Sequence, residues 1–291
     1  MRANVAGLCL SVLLASLVCS AQNAPQVAPT SGQPDASTVY CSGFYTDQKV
    51  SDELRLISGE QSNYKITFAQ GDYVYINRGL NQGVKEGDRF SVVRPVSEPV
   101  EVPWFKWQLK LMKAMGTAYA DAGQIRVVNV HPNVATAQVS FSCGPMWRGD
   151  IIRPFEERPT PPYKDAVKFD HFAPVSGKPV AMVVAATGFH EVSGKNQTVY
   201  VNLGSSQGVK VGDYFRVFRY EGSTSEYAPQ TKNYQYMMYG FGSAPKRYAW
   251  NDLPREVLGE GIVLSASHNS STVMITFNSV EIYTGDYVEL E

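Results

Sequence analysis

The sequence predicts an all-β protein made of two tandem copies of one small barrel. Three observations carry that prediction: an internal repeat, short strand-like runs separated by glycine turns, and a composition rich in aromatics and glycine. Val74-Tyr75-Ile76-Asn77-Arg78-Gly79 recurs as Val199-Tyr200-Val201-Asn202-Leu203-Gly204. The match continues through Gln82-Gly83-Val84-Lys85-Glu86-Gly87-Asp88 and Gln207-Gly208-Val209-Lys210-Val211-Gly212-Asp213. Without a gap, 13 of the 21 residues from Val74 to Arg94 are identical to those from Val199 to Arg219, which marks a duplicated structural unit. Residues 135–141 recur as 271–277, and Gly149-Asp150 falls on Gly285-Asp286. A weaker match sets Ser42-Gly43-Phe44 on Thr187-Gly188-Phe189. On these offsets the first copy carries extra residues before Val74, and the second carries extra residues after Arg219.

Each copy reads as a series of short strands. In the second copy these are residues 199–201, 214–219, 261–264, 272–277 and 287–290, rich in β-branched and aromatic side chains. Between the first two, Gly204, Gly208 and Gly212 mark a loop that turns sharply and visits positive φ. Gly83, Gly87 and Asp88, with Gly208, Gly212 and Asp213, are read as structural turn residues. Lys85 and Lys210 give these loops a superficial likeness to a phosphate cradle. A P-loop ends in Gly-Lys-Ser/Thr and opens a helix, however, whereas these loops lead into a strand. Five or six short strands in about 100 residues hide their edges best by closing into a small barrel.

The pattern Val-Tyr-Val-Asn-x-Gly followed by Gln-Gly-Val-Lys-x-Gly-Asp-x-Phe-x-Val resembles the SH3-like barrel module at the C-terminus of flagellar assembly protein T. It is also similar to modules of bacterial envelope proteins that pair such barrels with peptidoglycan-binding LysM domains. The resemblance covers about 45 residues in each copy and implies two tandem SH3-like β-barrels. Its motifs shape turns and carry no chemistry, and no LysM repeat accompanies them.

The N-terminus has the export pattern. Arg2 precedes an apolar run over residues 5–18, and Cys19-Ser20-Ala21 places small residues before Gln22. Residues 1–21 are predicted as a signal peptide and 22–37 as a disordered linker. The first β-module follows over 38–153, with a helical insertion at about 103–119. A Pro-rich connector spans 154–178, and the second module spans 179–291 with an aromatic-rich insertion over 220–252. The expected location is the periplasm or cell surface. Acylation at Cys19 is disfavoured because Val18 stands where a small residue is required.

The chain has 26 Lys and Arg against 27 Asp and Glu, so no concentrated basic face points to nucleic acid. Cys41 and Cys143 remain after signal removal and are predicted to form one disulfide, with two buried thiols as the alternative. On the weak match Cys41 falls on Ala186, and Cys143 falls on Ser279, so the second copy would lack both together. In the helical insertion, Trp104, Trp107, Leu111 and Met115 share one face, and Lys106, Lys110 and Lys113 lie opposite. That helix either packs on its barrel or lies on an anionic membrane surface. Tyr236, Tyr239 and Trp250 of the second insertion would stack on sugar rings, contact a protein, or cover their own barrel. The four histidines, His131, His171, His190 and His268, share no ligand spacing, so neither a metal nor another cofactor is expected. No nucleophile motif appears. The expectation is a non-catalytic envelope protein that binds another envelope protein or peptidoglycan. A glycan-binding module using the aromatic insertion is the alternative, and oligomeric state stays open.

Overall fold

A computed structural model describes residues 32–165, 168–220 and 254–291. The first half begins with helix α1 (Ala36–Tyr40) and strand β1 (Phe44–Thr46). It continues through β2 (Leu56–Gly59), β3 (Thr67–Phe68), β4 (Tyr73–Ile76) and β5 (Arg89–Val96). Helix α2 (Gln108–Met115) then leads to β6 (Thr117–Val130), β7 (Ala135–Ser142), β8 (Met146–Trp147) and β9 (Ile151–Pro154). The second half holds β10 (Val180–Ala186), β11 (Val192–Ser193), β12 (Thr198–Val201) and β13 (Tyr214–Tyr220). It ends with β14 (Arg255–Ala266), β15 (Ser271–Asn278), β16 (Ile282–Tyr283) and β17 (Tyr287–Leu290).

The second half closes into a six-stranded barrel of order β10-β12-β15-β14-β13-β17, with β17 returning to β10. Closure leaves no strand edge open, which is how so few short strands form a stable sheet. The first half follows the same order, β2-β4-β7-β6-β5-β9, and adds β1 on β6. Its two ends meet at a bridge between Arg55 and Ile151. The Leu56 N–H donates to the Asp150 carbonyl at 3.0 Å, and the Ile152 N–H to the Leu54 carbonyl at 2.9 Å. The short pairs β3–β8 and β11–β16 occupy the same place in each half. Each half has its own core, one around Leu56, Val74, Ile125 and Ile152, the other around Val183, Val201, Phe215 and Val288.

Strand pairing corrects one part of the repeat. The Gly149 N–H donates to the Leu56 carbonyl at 2.7 Å, and the Gly285 N–H donates to the Val183 carbonyl at 2.8 Å. Likewise the Asn77 side chain accepts from the Arg55 N–H at 2.7 Å, and Asn202 accepts from the Met182 N–H at 2.8 Å. The counterpart of β10 is therefore β2. Phe44 lies in β1, whereas Thr187–Phe189 forms a 3₁₀ turn after β10, so that three-residue match was incidental. The residues before Leu54 extend the first half at its N-terminus and are not inserted within it. Both halves are instead interrupted at one equivalent point, between β5 and β6 and between β13 and β14. Cys41 consequently has no counterpart in the second half. Cys143 and Ser279 do correspond, since their N–H groups donate to the equivalent carbonyls of Ala122 and Leu258 at 3.0 and 2.8 Å.

Helix α1 starts inside the stretch predicted as linker. The predicted signal segment lies outside the described residues, as does the aromatic insertion apart from Tyr220. Past Pro154, which ends β9, the described residues of the Pro-rich connector form no helix or strand element, yet the connector is fastened to both halves. The Arg158 guanidinium makes bonds of 2.8 and 2.7 Å to the Asp121 carboxylate in the first half. The Lys164 ammonium sits 2.5 Å from both Glu260 and Glu291 in the second. Arg255 donates to the connector carbonyls of Ala173 and Pro174 at 2.9 and 2.6 Å. These bonds make the connector a strap against both halves.

Candidate functional site

The predicted turn residues have the same geometry in both halves. Gly83 and Gly87 have φ of 82° and 89°, and Gly208 and Gly212 have 88° and 91°, values that disfavour any side chain. The Asp88 carboxylate accepts from the Lys85 N–H and Asp213 from the Lys210 N–H, each at 2.8 Å. These bonds hold the loop on itself.

A second duplicated constellation was not singled out from the sequence. The Arg94 guanidinium makes two bonds of 2.7 Å to Asp150, and Arg219 makes two of 2.7 Å to Asp286. Each carboxylate also accepts a backbone N–H at 2.7 Å, from Trp147 and Tyr283 respectively. The guanidinium lies 4.1 Å from the Trp147 ring in one half and 5.0 Å from Tyr283 in the other. Both aspartates are nearly buried, at 3% and 5% side-chain exposure, so the fork geometry of Arg is what keeps each charge compensated. The signal was present in the sequence: Arg94 and Arg219 end the repeated block, and the Gly-Asp pairs repeat. What sequence could not show is that these two repeated spots touch.

The junction between the halves is built around the N-terminal extension, which the second half lacks. Cys41 and Cys143 form the predicted disulfide, which ties the end of α1 to the turn after β7. The segment held in this way lies against the second barrel. Val39 packs among Tyr214, Ile262, Leu264 and Met274. The Tyr200 hydroxyl donates to the Ser42 carbonyl at 2.8 Å, Thr272 to the Gly43 carbonyl at 3.2 Å, and Ser270 to the Tyr45 carbonyl at 3.2 Å. Tyr45 and Tyr200 meet edge to face with centroids 5.1 Å apart. Burial pushes the Tyr200 phenol up to about 12 and raises Tyr45 further.

Helix α2 is shorter than predicted and presents a different face. Trp104 and Phe105 precede it, and Trp107 stands at its start, 68% exposed. The buried side chains are Gln108, Met112 and Met115; the two methionines cluster with Val184 and Ala185 of β10 in the second barrel and with Tyr45 and Ala118 of the first half. The Gln108 amide donates to the Val184 carbonyl at 2.9 Å and accepts from the Val102 N–H at 2.8 Å. The Trp104 indole donates to the Thr284 carbonyl at 2.9 Å, with its ring edge-on to Tyr283. Of the predicted contact residues, Trp104 is thus engaged within the chain. Lys106, Trp107, Lys110 and Lys113 remain together at the surface, with the Lys110 ammonium 5.8 Å from the Trp107 ring. Tyr236, Tyr239 and Trp250 lie outside the described residues.

A cavity of about 370 Å³ lies between the halves, bordered by Cys41, Gly43, Asp121, Cys143, Phe189 and Tyr200. Its ionised groups are already paired, Asp121 with Arg158 and Arg94 with Asp150. Among the described residues no three His, Cys, Asp or Glu side chains are placed to share a metal ion. No described helix is long and apolar enough to cross a membrane. No family model matches the chain, and no curated protein matches it.

Proposed function

We propose that the chain is a non-catalytic, exported protein of the bacterial cell envelope, with two SH3-like barrels that bind a protein partner or the cell wall as one rigid body. The disulfide is the observation that carries this reading. Cys41–Cys143 belongs to an oxidising compartment, and it fastens the segment that grips the second barrel. The repeated turns and buried ion pairs account for the scaffold, and recognition falls to what the repeat does not share. Lys106, Trp107, Lys110 and Lys113 form one such surface. Because the apolar side of α2 is packed inward, membrane contact there would be electrostatic, with the exposed Trp107 ring as an apolar anchor.

Fractionation of cells expressing the full chain tests location: recovery in the cytoplasm with free thiols would sink the proposal. Binding is tested by sedimentation with purified cell wall and by cross-linking in the envelope. Charge reversal at Lys106, Lys110 and Lys113 is expected to weaken capture of the partner at least tenfold. Capture that is indifferent to this change would remove the helix from the binding surface.

A further inference from the structure

The duplication shows what covers one face of this unit. On the second barrel that face carries Val184 (0% exposed), Tyr200 (6%) and Thr284 (2%). Tyr45, Trp104, Phe105 and Gln108 of the first half lie over it. The equivalent positions on the first half are Ile57, Tyr75 and Arg148, with Trp147 in the place of Tyr283. There Ile57 is 43% exposed, Trp147 48%, and neighbouring Ile66 80%. A β-carbon placed on Gly285 would lie 3.4 Å from the Phe105 ring, whereas one on Gly149 would meet nothing within 4 Å. One face is covered and its twin is bare among the described residues. Ile57 of β2 and Trp147 of the β3–β8 pair, the latter with Arg94 against its ring, leave large apolar side chains half-exposed at the position that is covered in the second half, which marks a contact surface.

Tyr45 of the N-terminal extension covers Tyr200, and the segment between β5 and β6 covers Val184 and Thr284. The duplicated plan puts one other segment in that role, residues 221–253 between β13 and β14, and its sequence contains Tyr236, Tyr239 and Trp250. We infer that residues 221–253 of one molecule dock on the bare Ile57–Trp147 face of a second copy, so that the protein associates with itself head to tail. The recognition chemistry is the one already seen within the chain: an indole N–H to the backbone carbonyl at Arg148, and an aromatic ring over Gly149. Donor and acceptor are different surfaces, so the contact is heterologous and adds molecules until a ring closes or an open chain grows.

Sedimentation velocity on the full chain over a range of concentrations tests this. The wild type is expected to associate. A variant lacking residues 222–252 and the Trp147→Glu variant are each expected to be monomeric. Ile57→Lys should behave as Trp147→Glu does, which separates loss of the surface from a local folding defect. Mixing the deletion variant, which keeps the acceptor, with Trp147→Glu, which keeps the donor, should yield a one-to-one pair. A wild type that stays monomeric to about 0.1 mM overturns the inference. So does association unchanged in both variants, or a mixture that fails to pair. A monomer in which residues 221–253 shield Trp147 from a fluorescence quencher also overturns it, since the segment would then cover its own chain.

Discussion

Tyr200 is buried at the junction with its hydroxyl on the Ser42 carbonyl, and its raised phenol pKa ties stability to pH. Because the folded value lies above the unfolded one, the contribution is complete below pH 10 and is lost as pH rises towards about 12. A shift of that size corresponds to about 2–3 kcal/mol. The denaturation midpoint is therefore expected to fall steeply between those pH values. Tyr200→Phe should flatten much of that fall while costing only about 1 kcal/mol at neutral pH, because the Thr187 hydroxyl also reaches the Ser42 carbonyl. Residual slope would come from Tyr45, whose phenol is raised in the same direction. The paired aspartates behave differently. Asp150→Ala or Asp286→Ala takes the carboxylate from a partly buried guanidinium beside an aromatic ring, and each should cost about 3–5 kcal/mol in urea titrations. Equal losses at the two sites would confirm that the two forks do the same work in each half.

At the scale of elements, α2 acts as a clasp. Gln108→Ala removes a donor to Val184 and an acceptor for Val102 in one step, both buried, and should cost about 2–3 kcal/mol. Faster hydrogen exchange at the β10 amides is expected to accompany that loss. Trp107→Ala, on the exposed side, should change stability by no more than about 0.5 kcal/mol. The repeat made most of the strand plan readable, because Gly-Asp turns and alternating apolar residues are local signals. The disulfide was readable from the expected export and the cysteine count. The face of α2 was not: a period of 3.6 shows which side chains line up, but not which of two sheets they meet. Trp104 and Trp107 share a stripe in projection, yet the helix begins only at Gln108, so one ring turns to Thr284 and the other to solvent. The match of Ser42-Gly43-Phe44 to Thr187-Gly188-Phe189 failed because three residues carry too little pattern to distinguish a strand from a turn.

Across the whole molecule, the two halves are joined by more than their connector. The segment from Val39 to Asp47, α2 and the strap around Arg158 and Lys164 all cross or brace the junction. Cys41 and Cys143 are 102 residues apart in sequence, and removing that cross-link by double substitution to serine should cost roughly 4–5 kcal/mol. Thermal unfolding followed by calorimetry is expected to be a single transition in the wild type. In the serine variant it should split, as the second barrel loses the segment that holds it. A single unsplit transition at the original temperature would show that α2 and the strap suffice alone. Both cysteines also lie before the first residue of the second barrel. The bond can therefore close before residues 180–291 have folded. The first half then waits as a finished template, and the later barrel forms against a surface that is already in place.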